Sequence, residues 1–190
     1  QIGYIFLGFG LAGTAGFTAA VFQMLAHAVT KSLLFITTPR LASVSEDSLL
    51  FSRLRGSGRR DRTAGFFFTA AALSMVGVPF LAGFSVKLFI AGAAAGHSGP
   101  LVLFSVMAFL GISSVLNAMY YLRTVMTIYA ERREETDGKP AVNPPAVRCP
   151  YVGDPLYLCA ALTLTAGNLF LGLCAPAVVS VIQRGLSMFS

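Results

Sequence analysis

The sequence has 190 residues, a mean hydropathy of +0.72 and a formal net charge of +6. Only 12% of its residues are charged, about half the share found in an ordinary soluble domain, so the composition excludes a typical water-soluble globular protein. The basic excess does not indicate nucleic acid as a partner, because the arginines are concentrated in two polar connections between apolar segments.

Apolar segments long enough to cross a bilayer as helices recur along the chain. Lipid offers no hydrogen-bond partner to the backbone, so such segments are helical, and they do not show the alternating polarity of barrel strands. We therefore predict an all-α polytopic membrane protein with about five transmembrane helices in a single domain. The predicted spans, in chain order, are residues 2–18, 19–38, 64–95, 101–130 and 156–183.

The second predicted span carries a polar stripe. Gln23, His27 and Lys31 are spaced at intervals of four residues, so they share one face of a helix, with Thr30 as a supporting polar neighbour. A lysine at membrane depth costs about 2.5–3.5 kcal/mol on insertion scales, which makes Lys31 a candidate functional residue. Because histidine titrates near neutrality, the group is suited to proton relay. In the structural alternative, His27 bonds a neighbouring helix and Lys31 extends to an interface.

The third predicted span, residues 64–95, is too long for one regular membrane helix. Pro79 lacks a backbone donor, and Gly77 and Gly83 weaken the helix further, so we predict a helix break at these three residues. Freed backbone groups at membrane depth are tolerated only inside protein or beside water, which predicts a hydrated cavity near Lys87. The alternative is a simple proline kink with Lys87 close to a surface.

The fourth predicted span ends near Arg123, which follows a tyrosine pair and is predicted to be an interfacial anchor. Two connections, residues 40–63 and 131–155, hold nearly all of the charge, whereas the link at 96–100 has no lysine or arginine. A count of five spans puts both charged connections on one side. The positive-inside rule assigns that side to the cytoplasm or the mitochondrial matrix.

The sequence shows no pattern typical of a soluble active site. It has no glycine-rich phosphate loop, no nucleophile beside a base and no cysteine-histidine metal cluster, so we predict neither a cofactor nor a metal. The chain opens inside an apolar run without an initiator methionine, which indicates a processed, truncated or split polypeptide.

Four motifs follow one another in the first 130 residues: QIGY at 1–4, HAVTKSLLF at 27–35, LSMVGVPFLAGFSVK at 73–87 and YYLR at 120–123. In sequence and order they resemble the antiporter-like membrane subunits of respiratory complex I (NADH:ubiquinone oxidoreductase) and the related Mrp cation/proton antiporters. The resemblance implies a fourteen-helix fold with two inverted five-helix repeats, of which this chain would supply the last five helices.

The same resemblance implies roles and partners. Lys31 and Lys87 would lie on the proton path, with His27 between its elements. The family's first half-channel is not in this chain, so other membrane-arm subunits of complex I, among them a chain that supplies the N-terminal helices, are expected as partners, together with membrane lipids. The expected location is the mitochondrial inner membrane, with the bacterial plasma membrane as the alternative.

The sequence is compatible with more than one paralogue and more than one function. The YYLR motif and the lysine in the broken helix are most like those of subunit 2, and a split chain is one alternative. His27 with Lys31 and the PFLAGF sequence instead resemble subunit 5 or an Mrp subunit. The main hypothesis is a non-redox fragment that couples NADH:ubiquinone electron transfer to proton pumping. The alternatives are a subunit of an Mrp-type antiporter and a structural helix-bundle fragment without a transport role.

Overall fold

A computed structural model of the chain describes residues 1–97, 99–131 and 154–188. Within these ranges all regular secondary structure is helical. The helices are α1 (Ile2–Gly10), α2 (Gly13–Ser43), α3 (Phe51–Leu54), α4 (Ser57–Arg60), α5 (Arg62–Val76), α6 (Ala82–His97), α7 (Pro100–Tyr129), α8 (Pro155–Leu173) and α9 (Ala175–Leu186).

The longest helix, α2, lies at the centre of the fold and packs against α1, α5, α6, α8 and α9. Small residues allow the closest of these approaches. A Cβ added at Gly16 would lie 2.5 Å from the carbonyl oxygen of Gly8, and one added at Gly8 would lie 2.9 Å from the backbone nitrogen of Ala20. Because dense packing leaves no room for an extra methyl group, α1 can lie against α2 only with glycine at these two positions.

The boundary between the first two helices differs from the prediction. The sequence placed it at residues 18 and 19, but α1 ends at Gly10 and α2 begins at Gly13. The chain turns at Ala12 and Gly13, which have φ values of 51° and 68°. Gly10 and Gly13 stand at this turn, but the predicted span treated the apolar residues on both sides as continuous. Helix α2 also continues past the predicted end of the span at residue 38, to Ser43, because Pro39 removes only one helical hydrogen bond.

The third apolar segment is divided into α5 and α6, with residues 77–81 between them. Gly77 ends α5 with a φ of 93°, and Phe80 has a φ of 72°. Gly83 lies inside the first turn of α6 and not in the break. A Cβ at Gly83 would overlap the carbonyl oxygen of Ser74, so this glycine lets the two half-helices approach each other.

The last predicted span, residues 156–183, also consists of two helices. Helix α8 ends at Leu173, and α9 begins at Ala175 with Pro176 in its first turn. Proline is favoured in a first turn because its missing N–H group needs no partner there. Helix α9 buries Ala175 and Val179 and packs against α2 and α8.

Among the helices of the described residues, three are long and apolar enough to cross a membrane, by length and composition alone: α2, α7 and α8. Helices α5 and α6 are shorter apolar helices. Along α7 most large apolar side chains are exposed, and only Val106, Leu110 and Ile128 are buried. An exposed apolar helix of this kind needs either lipid or another protein around it.

The two charged connections lie at one end of the molecule, as far as the structure describes them. Arg55 donates a hydrogen bond from Nε to the backbone oxygen of Glu131 at 3.1 Å, and Arg59 pairs with the Glu131 carboxylate at 3.3 Å. Most of the predicted connection 131–155 lies outside the described residues. The side of the membrane that this charged end faces stays a prediction.

Candidate functional site

The break between α5 and α6 frees main-chain carbonyls at the C-terminus of α5. A helix end leaves its last four carbonyls without helical partners, and in an apolar bundle each of them needs another donor. The amide of Gly77 bonds the carbonyls of Leu73 and Ser74. The side chain of Gln1 donates to the carbonyl of Met75 at 3.3 Å. The remaining carbonyl, that of Val76, accepts from the Lys87 ammonium group.

Lys87 therefore reaches from α6 back across the break to the end of α5. Its Nζ donates to the Val76 carbonyl and, at 2.8 Å, to Oγ of Ser114 on α7. Ser114 in turn donates to the backbone oxygen of Leu110 at 2.6 Å. The helix dipole makes the C-terminal end of α5 a favourable place for a cation.

Gly77 makes this arrangement possible in two ways. Its φ of 93° is a conformation that side-chain-bearing residues rarely adopt. A Cβ at Gly77 would also lie 2.6 Å from Nζ of Lys87, so the missing side chain leaves the space that the ammonium group occupies.

On the other side of the break, Asn168 of α8 satisfies the start of α6. Its Oδ1 accepts the Ala82 backbone N–H at 3.3 Å, and its Nδ2 donates to Oγ1 of Thr30 on α2 at 2.7 Å. Asn168 is only 2% exposed. One buried amide thus joins α2, α6 and α8 at the break.

Ser74 completes this group of hydrogen bonds. Its hydroxyl accepts the Gly83 backbone N–H at 3.4 Å and lies 3.5 Å from Oγ1 of Thr30. Thr30, predicted only as a supporting polar residue, is therefore part of the contact between α2 and the break.

The predicted stripe on α2 divides into two parts. Gln23 is 2% exposed and donates to the backbone oxygen and to Oε1 of Gln1, at 3.1 and 3.0 Å. Through Gln1 it is tied to the end of α5. His27 and Lys31 are half-buried, and no hydrogen bond among the described residues joins them to each other or to Gln23.

The two remaining stripe residues have ionisable groups without strong partners. The buried Nδ1 of His27 has no hydrogen-bond partner in the described part of the chain. Nζ of Lys31 lies 5.2 Å from the ring centre of Phe35, the distance of a cation-π contact. Nδ1 of His27 is therefore open to a hydrogen bond from a neighbour, and the Lys31 ammonium group can donate to one.

Arg123 belongs to the charged end of the molecule. Its side chain is exposed, and its guanidinium carbon lies 5.4 Å from the ring centre of Phe51 in α3. This contact is compatible with the predicted interfacial anchor. Arg123 therefore lies at the charged end and not among the hydrogen bonds around the break.

Sequence reasoning missed Asn168, Ser74 and Ser114 as parts of the site. A signal for Asn168 was present, because a lone asparagine in an otherwise apolar helix needs a polar partner. The two serines gave no such signal, since a serine can bond the carbonyl four residues earlier in its own helix.

The arrangement offers proton-transfer chemistry. An amine, an imidazole and several hydroxyl groups can donate or accept protons, and the lysine is held by neutral acceptors. The described residues contain no group of three or more histidine, cysteine, aspartate or glutamate side chains placed to hold a metal ion.

Residues 1–126 match the family described as NADH:quinone oxidoreductase/Mrp antiporter, transmembrane. Because that match covers well over half of the chain, the protein belongs to this family of membrane subunits. The predicted resemblance to antiporter-like subunits is thereby confirmed.

Individual relatives show which subunits within this family the chain is similar to. It is 33% identical over 165 residues to NADH-quinone oxidoreductase subunit N 1 of Sorangium cellulosum, covering 85% of this chain and 31% of the relative. It is 34% identical over 169 residues to NADH-quinone oxidoreductase subunit 14 of Thermus thermophilus, covering 88% and 35%. A subunit L from Rickettsia bellii is 26% identical over 183 residues, covering 95% and 26%.

A solved structure has the same fold over this length. A chain of respiratory complex I from Thermus thermophilus with bound aureothin matches with a TM-score of 0.64 and 27% identity, over 94% of this chain and 36% of that chain. The protein spans about a third of the length of these relatives. It is therefore homologous to part of a complex I antiporter-like subunit and is an integral membrane chain.

Proposed function

We propose that this chain is part of a proton-translocating subunit in the membrane arm of a complex I-type NADH:quinone oxidoreductase, with Lys87, Lys31 and His27 as proton-transfer residues. The observation that carries the proposal is the position of Lys87, whose Nζ bonds the last carbonyl of α5 and the Ser114 hydroxyl across a helix break. The chain would hold no redox centre itself and would respond to electron transfer elsewhere in the complex.

A proton-transfer lysine has to release its proton as well as hold it. Among the described residues no carboxylate forms an ion pair with Lys87, and its two partners are neutral oxygen atoms. These atoms stabilise the ammonium group by dipoles, without the strong mutual attraction of an ion pair. Lys87 is only half-buried, and the proposal places water beside it at the break, as the sequence predicted.

His27 and Lys31 would form the second element of the path. They lie one helical turn apart on α2, and the unpartnered Nδ1 of His27 can accept or donate a proton. Gln23 links the same helix to α5 through Gln1, and Thr30 links it to Asn168 of α8. His27 and Lys31 thus lie on α2, the helix that contacts both half-helices of the break, α5 and α6.

The finer assignments belong to this proposal. We place the chain at the last five helices of the fourteen-helix fold, which requires a second chain or segment for the preceding helices. Several relatives are named subunit N, which favours an N-type subunit; the assignment to subunit 2 and the split chain stay predictions. The Sorangium, Thermus and Rickettsia relatives are bacterial proteins, which favours a bacterial plasma membrane over the mitochondrial inner membrane.

The proposal is tested by replacing Lys87 with methionine in the assembled complex. Proton uptake or release driven by NADH oxidation in membrane vesicles is expected to fall about tenfold, with the complex still assembled. Lys139→Met is the matched control, because it makes the same chemical change in the charged connection. Full pumping by the Lys87→Met variant would contradict the proposal.

Two other functions have specific support. The family description includes Mrp antiporters, so sodium-dependent proton exchange by vesicles without NADH or quinone would favour that function. The hydrogen bonds of Asn168 would suit a purely structural bundle. In that case, neutralising both lysines would leave pumping intact.

A further inference from the structure

The QIGY motif at the start of α1 contains a buried tyrosine that the proposed proton path does not use. Tyr4 is 2% exposed, and its hydroxyl donates to Oγ of Ser113 on α7 at 2.8 Å. Its ring also contacts Phe109, one helical turn earlier on α7, with 5.9 Å between the ring centres. A buried hydroxyl among apolar helices needs such a partner, so this contact fixes where α7 lies against α1.

Gln1, one turn before Tyr4, makes a corresponding contact with α5. Its Nε2 donates to the carbonyl of Met75 at 3.3 Å, and its backbone oxygen and Oε1 accept from Gln23 of α2. Gln1 is the N-cap of α1, and residues three apart are neighbours on a helix surface. The two side chains therefore leave the same turn, one toward the end of α5 and the other toward α7.

On α5, Gln1 holds the carbonyl next to the one that Lys87 uses. Lys87 donates to the carbonyl of Val76, the last residue of α5, and Gln1 donates to that of Met75, immediately before it. The Met75 carbonyl and the Val76 nitrogen share one rigid peptide plane. Because Gln1 holds that plane, it also restricts the direction of the Val76 carbonyl that follows.

On α7, Tyr4 holds the serine next to the one that Lys87 uses. Lys87 donates to Oγ of Ser114, and Tyr4 donates to Oγ of Ser113. Successive residues of a helix are separated by about 100° around its axis, so a rotation of α7 that kept one of these bonds would strain the other. The Tyr4 bond thus fixes the direction in which α7 presents Ser114.

We propose that Gln1 and Tyr4 are positioning residues for proton transfer at Lys87, because they hold the two neutral acceptors of its ammonium group in place. An amine that has released its proton is held less strongly, and it has to meet the same acceptors when it is protonated again. Acceptors that other bonds hold in advance need no rearrangement during this exchange. This inference rests on the proposed function of Lys87 and adds the start of α1 to the site.

The test measures the protons pumped per NADH oxidised by the assembled complex in membrane vesicles. Tyr4→Phe removes only the hydroxyl and keeps the ring against Phe109. Pumping is expected to fall about threefold, less than in Lys87→Met, because the Ser114 acceptor remains and loses only its alignment. NADH oxidation with an uncoupler and passive proton leak without NADH should both match the unmodified complex, which a general structural defect would not allow.

Ser113 gives a second pair of variants for the same bond. Ser113→Ala removes the acceptor of the Tyr4 hydroxyl and should lower pumping as Tyr4→Phe does, whereas Ser113→Thr keeps a hydroxyl and should retain most of the pumping. The double variant Tyr4→Phe with Ser113→Ala should pump no less than either single variant, because both changes remove one bond. Additive losses would overturn the role given to this bond.

Tyr129→Phe is the matched control. Tyr129 is the last residue of α7, and its hydroxyl accepts from Oγ1 of Thr69 on α5 at 3.5 Å. The substitution therefore also removes one phenolic contact between helices, but away from Lys87, and should leave pumping unchanged. Equal losses in Tyr4→Phe and Tyr129→Phe would show a general loosening of the bundle and overturn the positioning role.

Gln1→Met tests the contact with α5. Methionine has a similar length but cannot donate to the Met75 carbonyl, so pumping should fall as it does in Tyr4→Phe. Combining the two changes should lower pumping further, because the two bonds hold different acceptors of Lys87. Unreduced pumping by Gln1→Met would overturn the role given to Gln1.

Lys87→Met in the same assay separates this inference from the function on which it rests. Full pumping by Tyr4→Phe and Gln1→Met, with reduced pumping by Lys87→Met, would overturn the positioning role alone. Full pumping by all three variants would contradict proton transfer at Lys87, and the positioning role would fall with it.

Discussion

At the scale of single residues, Lys87 and Gly77 act as a pair. The glycine ends α5 in a left-handed conformation, and the lysine bonds the carbonyl that this ending exposes. An unpaired carbonyl in an apolar bundle costs several kcal/mol, as does a lysine without partners, so each group offsets the cost of the other. The same contact that completes the helix end also places an ionisable amine at the break.

Gly77→Ala should therefore disturb the site more than an ordinary glycine substitution. We expect a loss of about 1–2 kcal/mol in the free energy of unfolding, because alanine is strained at a φ of 93° and its Cβ would meet the Lys87 ammonium group. Thermal unfolding of the assembled complex, followed by circular dichroism, measures this loss of stability.

Gly92→Ala is the matched control for this variant. Gly92 lies within α6, and a Cβ there would meet nothing within 4 Å, so alanine should be neutral or slightly stabilising. Equal stability of the two variants would contradict the role given to Gly77.

At the scale of elements, the break is held from both sides. Lys87 and Gln1 satisfy the end of α5, while Asn168 and Ser74 satisfy the start of α6. These bonds link the break to its neighbours α2, α7 and α8. The broken helix is thereby a fixed feature of the bundle, which is what a proton path needs if its groups are to keep their spacing.

Asn168→Leu tests how far the break depends on this support. Leucine leaves the Ala82 N–H without its acceptor and Thr30 without its donor, at a cost of about 1–3 kcal/mol. Hydrogen exchange at the first amides of α6 should accelerate in the variant.

Thr165→Val on the same helix supplies the comparison. Among the described residues its hydroxyl bonds only the Ala161 carbonyl of its own helix, so the change should stay within about 0.5 kcal/mol and leave exchange in α6 unaltered. If the two variants exchange alike, Asn168 does not hold the break.

The elements show what the sequence could predict. Gly77 and Pro79 have strong local effects on the backbone, and the interruption lies where they stand. The turn at Ala12 and the division at Cys174 were missed, although Gly13 and Pro176 stand beside them, because the prediction joined the long apolar segments on both sides into single spans. In such sequence the helix ends depend on packing between helices, which no local pattern records.

Side-chain partners were harder to predict than the helices. The stripe from Gln23 to Lys31 follows from spacing, but its division into a bonded and an open part depends on where Gln1 lies. The acceptors of Lys87 come from residues 11 and 27 positions away. Contacts of this range become visible only when the fold is known.

At the scale of the whole molecule, the charge and the polar groups of the site lie in different places. Both charged connections meet at one end through Glu131, while the break and the stripe lie among apolar helices. Exposed apolar side chains along α7 leave a broad surface for lipid or a neighbouring subunit. With about a third of its relatives' length, the chain would contribute one part of a longer path.

Proton pumping by a Lys87→Arg variant of the assembled complex tests the central claim most directly. Arginine keeps the charge and the donors that can bond Val76 and Ser114, but it does not deprotonate under physiological conditions. If Lys87 exchanges protons, the variant should assemble normally, yet pump about as few protons per NADH oxidised as Lys87→Met. Pumping at the level of the unmodified complex would show that Lys87 only completes the end of α5, and would contradict the account.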